Sequence, residues 1–248
     1  MRSLFFWSIL MTMLQLNLTG QATNGAVVYR HTSNIDTESM PPHIAANMPK
    51  SAENSMLLLF TKTQSLYKKN PDFKEVEDPN DNRPRFFKRM QDNAVNIYFK
   101  DSDHNTLVQQ TNFMGKDFLI SDELKNLKWK VSAGEQKAIL GYTCMKAYYK
   151  DSVNNYVVFF TPQIPVSQGP DIYGGLPGLI LEVQSEHVHI IATNIATEEK
   201  PGDVAIKQPD KGTKMEKAAF EQLKAEKMKE QVEMRSGQGH SRGMFIRH

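Results

Sequence analysis

The sequence predicts a mainly β fold: a strongly curved, open antiparallel sheet of half-barrel type, followed by one C-terminal α-helix. Three observations carry this expectation. Short apolar runs recur from Ala94 to Ile195 with turn-type residues between them, and no helix-period segment separates them. Strands joined so directly imply hairpins rather than βαβ units. Trp129 and Val131 alternate with Lys128 and Lys130, so at least one face looks outward. A sheet of about ten short strands curls to bury its apolar face.

Taken in order, Gly25 to His31 opens as a short strand, and Thr32 to Ser51 reads as loop or partial helix around Pro41-Pro42 and Pro49. Ser55 to Tyr67 reads as one strand. Lys68 to Asp92 is a charged excursion broken by Pro71, Pro79 and Pro84, long enough to be functional or mobile. Six strands are then expected: Ala94 to Lys100, Thr106 to Asn112, Lys116 to Ile120, Lys128 to Ser132, Lys137 to Lys150, and Tyr156 to Thr161. Ile180 to Gln184 and Val188 to Ile195 form a further hairpin across Ser185-Glu186-His187. Lys214 to Met234 is rich in Lys, Glu, Ala and Met, free of Gly and Pro, and predicts a helix with Thr213 as N-cap.

The first residues carry the pattern of an export signal: Arg2, an apolar run from Leu4 to Leu16, then Gly20-Gln21-Ala22 as a small-x-small cleavage site. That run is short and interrupted by Thr12 and Gln15, so a membrane span is not expected. The division that follows is a signal peptide over 1–22, a single β domain over 23–210, a helix over 211–235 and a flexible basic tail over 236–248. The implied location is the periplasm, the cell surface or the medium, and no integral membrane protein is expected. With 248 residues, 40% of them hydrophobic, the chain can build a sizeable core. A formal charge of +2, with Lys and Arg spread along the chain, gives no reason to expect nucleic acid as a partner.

Between the sixth of these strands and the closing hairpin lies Gly169-Pro170-Asp171-Ile172-Tyr173-Gly174-Gly175-Leu176-Pro177-Gly178-Leu179. Pro177-Gly178 suits the centre of a type II turn, with Gly supplying φ > 0. Leucines on both sides of that turn predict a segment tucked against the core or lining a cleft. Tyr173, Leu176, Pro177 and Leu179 are the candidate ligand contacts, and Asp171 to Tyr173 suit a sugar or peptide. Cys144 lies alone within a strand, which excludes an internal disulfide. A buried structural cysteine is the simpler reading, since no local base accompanies it. His187 and His189, two apart, would share one face of a strand and suit copper or zinc, with Glu182 or Glu186 as a further ligand. Met215, Met228, Met234, Met244, His240 and His248 offer a second, softer metal reading, set against ordinary helix packing. No nucleophile elbow, phosphate-cradling loop or zinc-protease helix is present in the sequence.

Gly175-Leu176-Pro177-Gly178-Leu179-Ile180 carries the signature of the GLPGLI family, and neighbouring pieces agree in order. These are Trp129-Lys130, Gly141-Tyr142-Thr143-Cys144-Met145-Lys146, Phe160-Thr161, Ile164-Pro165 and Gly169-Pro170. Val157-Val158-Phe159-Phe160 departs from the pattern, where members often carry Trp or Tyr. The resemblance implies an exported protein of Gram-negative bacteria that accompanies outer-membrane receptor systems. It also implies structural roles for Trp129, Gly141, Tyr142, Cys144, Lys146, Gly169, Pro170, Gly175, Pro177 and Gly178. The Gly-Tyr-x-Cys-x-Lys strand is similar to that of lipoprotein-carrier-like folds, where a curved sheet wraps an apolar cavity. The combined expectation is a non-enzymatic envelope protein that binds an apolar ligand or a protein partner and needs no cofactor. Copper or zinc handling is the alternative, and a hydrolase ranks behind both.

Overall fold

The computed structural model describes residues 22–38, 42–46, 48–73, 96–125, 127–152, 155–197 and 206–238. The expected export signal up to residue 21, most of the 68–92 excursion and the tail beyond 238 lie outside these residues. Within them the chain forms one twelve-stranded sheet that does not close into a barrel. Strands β1 (Gly25–Asn34), β2 (Ser51–Phe60), β3 (Gln64–Lys69), β4 (Asn96–Asp101), β5 (Thr106–Phe113) and β6 (Lys116–Glu123) form one meander. Strands β7 (Lys130–Ile139), β8 (Tyr142–Lys150), β9 (Asn155–Thr161), β10 (Leu179–Gln184) and β11 (Val188–Thr197) form the second. The meanders join where β1 pairs antiparallel with β11, from Gly25 opposite Thr197 to Ser33 opposite Val188. A short α1 (Pro42–Ala45) precedes β2, and β12 (Thr213–Glu216) leads into α2 (Lys217–Gln238).

The mainly β, curved and open architecture agrees with the sequence reading, and the departures from it are local. The expected strand over 55–67 is a hairpin of β2 and β3, because Thr61 accepts the Gln64 amide on its hydroxyl at 3.0 Å and closes a turn. The expected strand over 137–150 likewise folds back at Leu140 and Gly141, whose φ values are 49° and 82°. Paired left-handed residues are the hairpin turn that matches strand twist. Thr213 is not an N-cap. It begins β12, which runs parallel to β6 and satisfies that edge, so the helix starts only at Lys217.

Period-two alternation gives strands such as β1 and β2 an inner and an outer face, whereas β10 is buried on both. Val27, Tyr29, Leu58, Phe60, Tyr67, Val158 and Ile190 belong to the main core, and β1–β2 pairing sets Tyr29 opposite Met56 and Val27 opposite Leu58. At the β6 end, Phe220 of α2 packs on Phe118 and Ile120, its ring centroid 5.2 Å from that of Phe118. Beyond that first turn the helix is mostly exposed, with Met228 and Met234 open to solvent.

Candidate functional site

The loop 162–178 connects β9 to β10 and lies across the inner face. Ile164, Val166, Tyr173 and Leu176 are buried in the main core, as is Leu179 where β10 begins. Each buried aliphatic side chain contributes roughly 1.5–3 kcal/mol, enough to hold the loop down without regular structure. Polar contacts fix its shape. Tyr29 donates its hydroxyl to the Ile180 carbonyl at 2.6 Å, and the Trp129 indole N–H donates to the Gly174 carbonyl at 2.8 Å. Lys100 Nζ donates to the carbonyls of Gly169 at 2.7 Å and Tyr173 at 2.5 Å.

Glycine acts here in two ways. Gly175 takes φ 84°, whereas Gly178, expected to supply the positive φ of the turn, is not in that region. Gly178 is required by close approach: a Cβ there would stand 2.3 Å from the Thr161 carbonyl oxygen. Gly169 is similarly crowded, with Ile180 Cβ at 2.9 Å from the same hypothetical atom. Asp171, at φ 52°, is a non-glycine residue held in the left-handed region, in a turn closed by the Tyr173 amide on the Pro170 carbonyl at 3.0 Å. Such backbone strain costs on the order of 1–3 kcal/mol and persists where its surroundings over-determine it.

Asp171 borders a small inner-face pocket of about 140 Å³. His31, Met56, Tyr67, Lys69 and Tyr98 line it from β1 to β4. His31 Nδ1 and the Tyr67 hydroxyl are 3.1 Å apart, and Gln109 donates to the Tyr98 hydroxyl at 3.2 Å. Burial raises the Asp171 carboxyl to about 6, against the opposing pull of the Ile172 amide, Lys100 and the Tyr98 hydroxyl. Burial likewise pushes Lys100 down to about 7, with Asp171 pulling the other way. Desolvation also lowers His31 and raises Tyr67 and Tyr98. A carboxyl with a displaced pKa on a left-handed backbone, beside tyrosines and an imidazole in a concavity, has the physical marks of a functional site.

A second pocket of about 400 Å³ opens at the sheet rim between Tyr156, Tyr173, Gln184, Glu186 and His187. Tyr156 and Tyr173 meet edge to face at 5.3 Å.

The sequence-derived candidates fall into three groups. Tyr173 lines the rim pocket, while Leu176 and Leu179 are 3% and 0% exposed, so they anchor the loop and offer no surface to a ligand in this conformation. Pro177 is exposed beside them. The motif residues serve structure: Gly141 turns a hairpin, Lys146 pairs with Glu135 at 2.6 Å, and Pro170 is a buried member of the loop. Tyr142 packs at the edge of the core. Cys144 is buried, and desolvation raises its thiol to about 11, which leaves little thiolate at neutral pH. The histidines do not share a strand face as expected, because β11 begins only at Val188. His187 sits in the turn at the rim pocket, and His189 places Nε2 2.9 Å from Glu182 Oε1. Among the described residues, no three His, Cys, Asp or Glu side chains are grouped to hold a metal. Of the Met/His tail, His240, Met244 and His248 lie outside the described residues.

Lys100, Asp171's pairing with Tyr98, and the His31–Tyr67 contact were not picked out from sequence. The available signal was Lys100 two positions from Tyr98 on a strand, which puts its ammonium on the same face as that aromatic ring.

Residues 153–182 match a family model described as "Protein of unknown function (Porph_ging)", and that stretch contains β9, the loop and most of β10. No curated protein matches the chain. The fold is similar to solved structures of PNGF-II in P21 and C2 space groups. Both are 16% identical with a TM-score of 0.53, and the match covers 82% of this chain but only 33% and 32% of theirs. The chain thus corresponds to about a third of those proteins, and identity at this level concerns the fold alone. Among the described residues no helix is long and apolar enough to cross a membrane.

Proposed function

We propose that this chain is an exported, non-enzymatic envelope protein that binds a ligand or protein partner through the inner-face pocket at Asp171. The outer-membrane receptor association implied by the GLPGLI resemblance is part of that reading. The observation that carries it is the loop itself: its own Ile164, Val166 and Leu176 already occupy the apolar inner face. What stays open is a mouth that carries the polar groups of Asp171, His31, Lys69 and two tyrosines. A partner therefore meets hydrogen-bonding groups, such as a peptide or sugar presents, rather than a greasy cavity. A non-catalytic role is supported by the buried, high-pKa Cys144. The test compares protein purified from envelope extract with an Asp171→Asn/Tyr98→Phe variant by native mass spectrometry. A retained mass on the parent that the variant loses is expected. Equal retention by a folded variant overturns the assignment of this pocket.

A second reading follows from the Asp171 carboxyl at about 6, which suits proton transfer near neutral pH. If the mass retained by the parent is released chemically altered, and the variant leaves it intact, catalysis replaces binding.

A further inference from the structure

Across the loop from Asp171 lies a third pocket, of about 350 Å³, that shares no lining residue with the inner-face pocket. Its charged lining has one sign. Lys62 comes from the β2–β3 turn, Lys100 from the end of β4 and Lys125 from the segment after β6. Thr63, Ser102 and Ser167 add hydroxyls, and no Asp or Glu is among its described lining residues. Three carboxylates stand near, and Asp122, which attracts Lys125, is paired with Lys217 at 3.1 Å. Asp101, on the adjacent position of β4, is occupied by Gln64 at 2.7 Å, by His104 at 3.0 Å and by the Asp103 and His104 amides. Asp171 faces Lys100 from the loop and attracts it.

Lys100 is the second observation. It is 2% exposed yet lines this pocket. Its ammonium carries three donors, of which two serve the Gly169 and Tyr173 carbonyls. Neutral carbonyls and a half-buried Asp171 compensate a buried positive charge poorly, and burial accordingly lowers its proton affinity. An anion in the pocket would complete that compensation, with Lys62 and Lys125 closing on it from the rim. Lysines act as point charges on oxyanions, without the planar fork that selects a carboxylate.

We propose that this three-lysine pocket binds a phosphate-type oxyanion, carried by a soluble ligand or by a lipid head group. The volume falls within the range of about 300–1,000 Å³ for small-molecule sites, so more of the ligand than its anionic group fits. The site stands on residues outside the pocket proposed above and is tested separately.

Calorimetric titration of the full protein with inorganic phosphate, at ionic strength held constant with chloride, decides it. Saturable binding is expected, weakened at least tenfold in Lys62→Ala/Lys125→Ala. Both side chains are exposed, so this variant should melt as the parent does. Lys116→Ala/Lys229→Ala removes the same charge at exposed positions elsewhere and should bind as the parent. No saturable phosphate binding, or an equal loss in both double variants, overturns the proposal. Sedimentation with phosphatidylglycerol vesicles, reversed by phosphate, assigns the oxyanion to a head group. Phosphate binding without sedimentation assigns it to a soluble ligand.

Discussion

Lys100 and Glu182 are both 2% exposed, but the protein treats these two buried charges differently. Glu182, in the middle of β10, is surrounded by donors: an ion pair with Lys137, His189 at 2.9 Å, and the Gln184 amide at 2.6 Å. Lys137 in turn lies 3.9 Å over the Phe159 ring. Burial raises the Glu182 carboxyl, yet the hydrogen bonds from Lys137, His189 and Gln184 outweigh it, and the net pKa is below the usual carboxylate range. Lys100 has only backbone carbonyls and the more distant Asp171, and its net shift follows desolvation, down to about 7. A buried charge with its partners built in is a structural network. One left half-compensated beside a pocket marks a place where something else can bind.

The largest expected effect on this contrast comes from Lys100→Met, which keeps the stem and removes the donors. Two buried carbonyls lose their partner, at about 1–3 kcal/mol each, offset in part by removing a desolvated ammonium. A net loss of roughly 2 kcal/mol is expected in urea unfolding, with the loop still held on the inner face by Ile164, Val166 and Leu176. The pH dependence sharpens the point. Lys100 titrates near 7 when folded and near the ordinary 10.5 when unfolded, so the unfolded state holds the extra proton between them. Parent stability should therefore gain, relative to the variant, as pH rises from 7 towards 10, while below 7 the full burial penalty remains. A parent–variant difference that is flat across this window would show that Lys100 is not desolvated as described.

Glu182→Gln should cost less, although the carboxylate is as deeply buried. Breaking a fully buried pair costs about 3–5 kcal/mol. Here, however, the Lys137 and His189 side chains are 35% and 47% exposed and can turn to water once unpaired. About 1–2 kcal/mol is expected at neutral pH, after that discount for screening. A depressed carboxylate contributes stability above its unfolded value of about 4.5 and loses it as pH falls through the lower folded value. Parent and variant should thus converge in acid. A gap that persists at low pH would mean that the glutamine disturbs packing instead of removing a charge.

The sheet was legible because strand alternation is local, and two of its failures were local as well. The Thr61–Gln64 turn contains no Gly, Pro, Asn or Asp, and Leu140–Gly141 carries a single Gly beside apolar residues, so each hairpin reads as one strand. The parallel pairing of β12 with β6 has no local signal, since Thr213–Glu216 sits in a stretch of high helix propensity and is held by an edge strand that precedes it by roughly a hundred residues. The loop's Leu anchors and its Gly and Pro turns were readable, but not which glycine takes positive φ. That depends on the Thr161 carbonyl standing against Gly178. The site itself was the least legible part. Lys100 finds its acceptors 69 and 73 positions away, and Asp171 looks like an ordinary turn former until Tyr98 is beside it.

The smallest effect should come from His189→Ala. From sequence this histidine was a candidate metal ligand, but its Nε2 is engaged with Glu182 Oε1. Deleting it leaves Glu182 its contacts with Lys137 and Gln184, and the histidine lost is nearly half exposed. A loss of about 0.5 kcal/mol, falling with added salt, is what a pair with one half-exposed partner gives. A double-mutant cycle with Glu182→Gln assigns the coupling: little of that loss should remain once the carboxylate is gone. If His189→Ala instead costs as much as Glu182→Gln, the three donors around Glu182 act as one cooperative unit. The contrast with Lys100 would then rest on network cooperativity rather than on the number of partners.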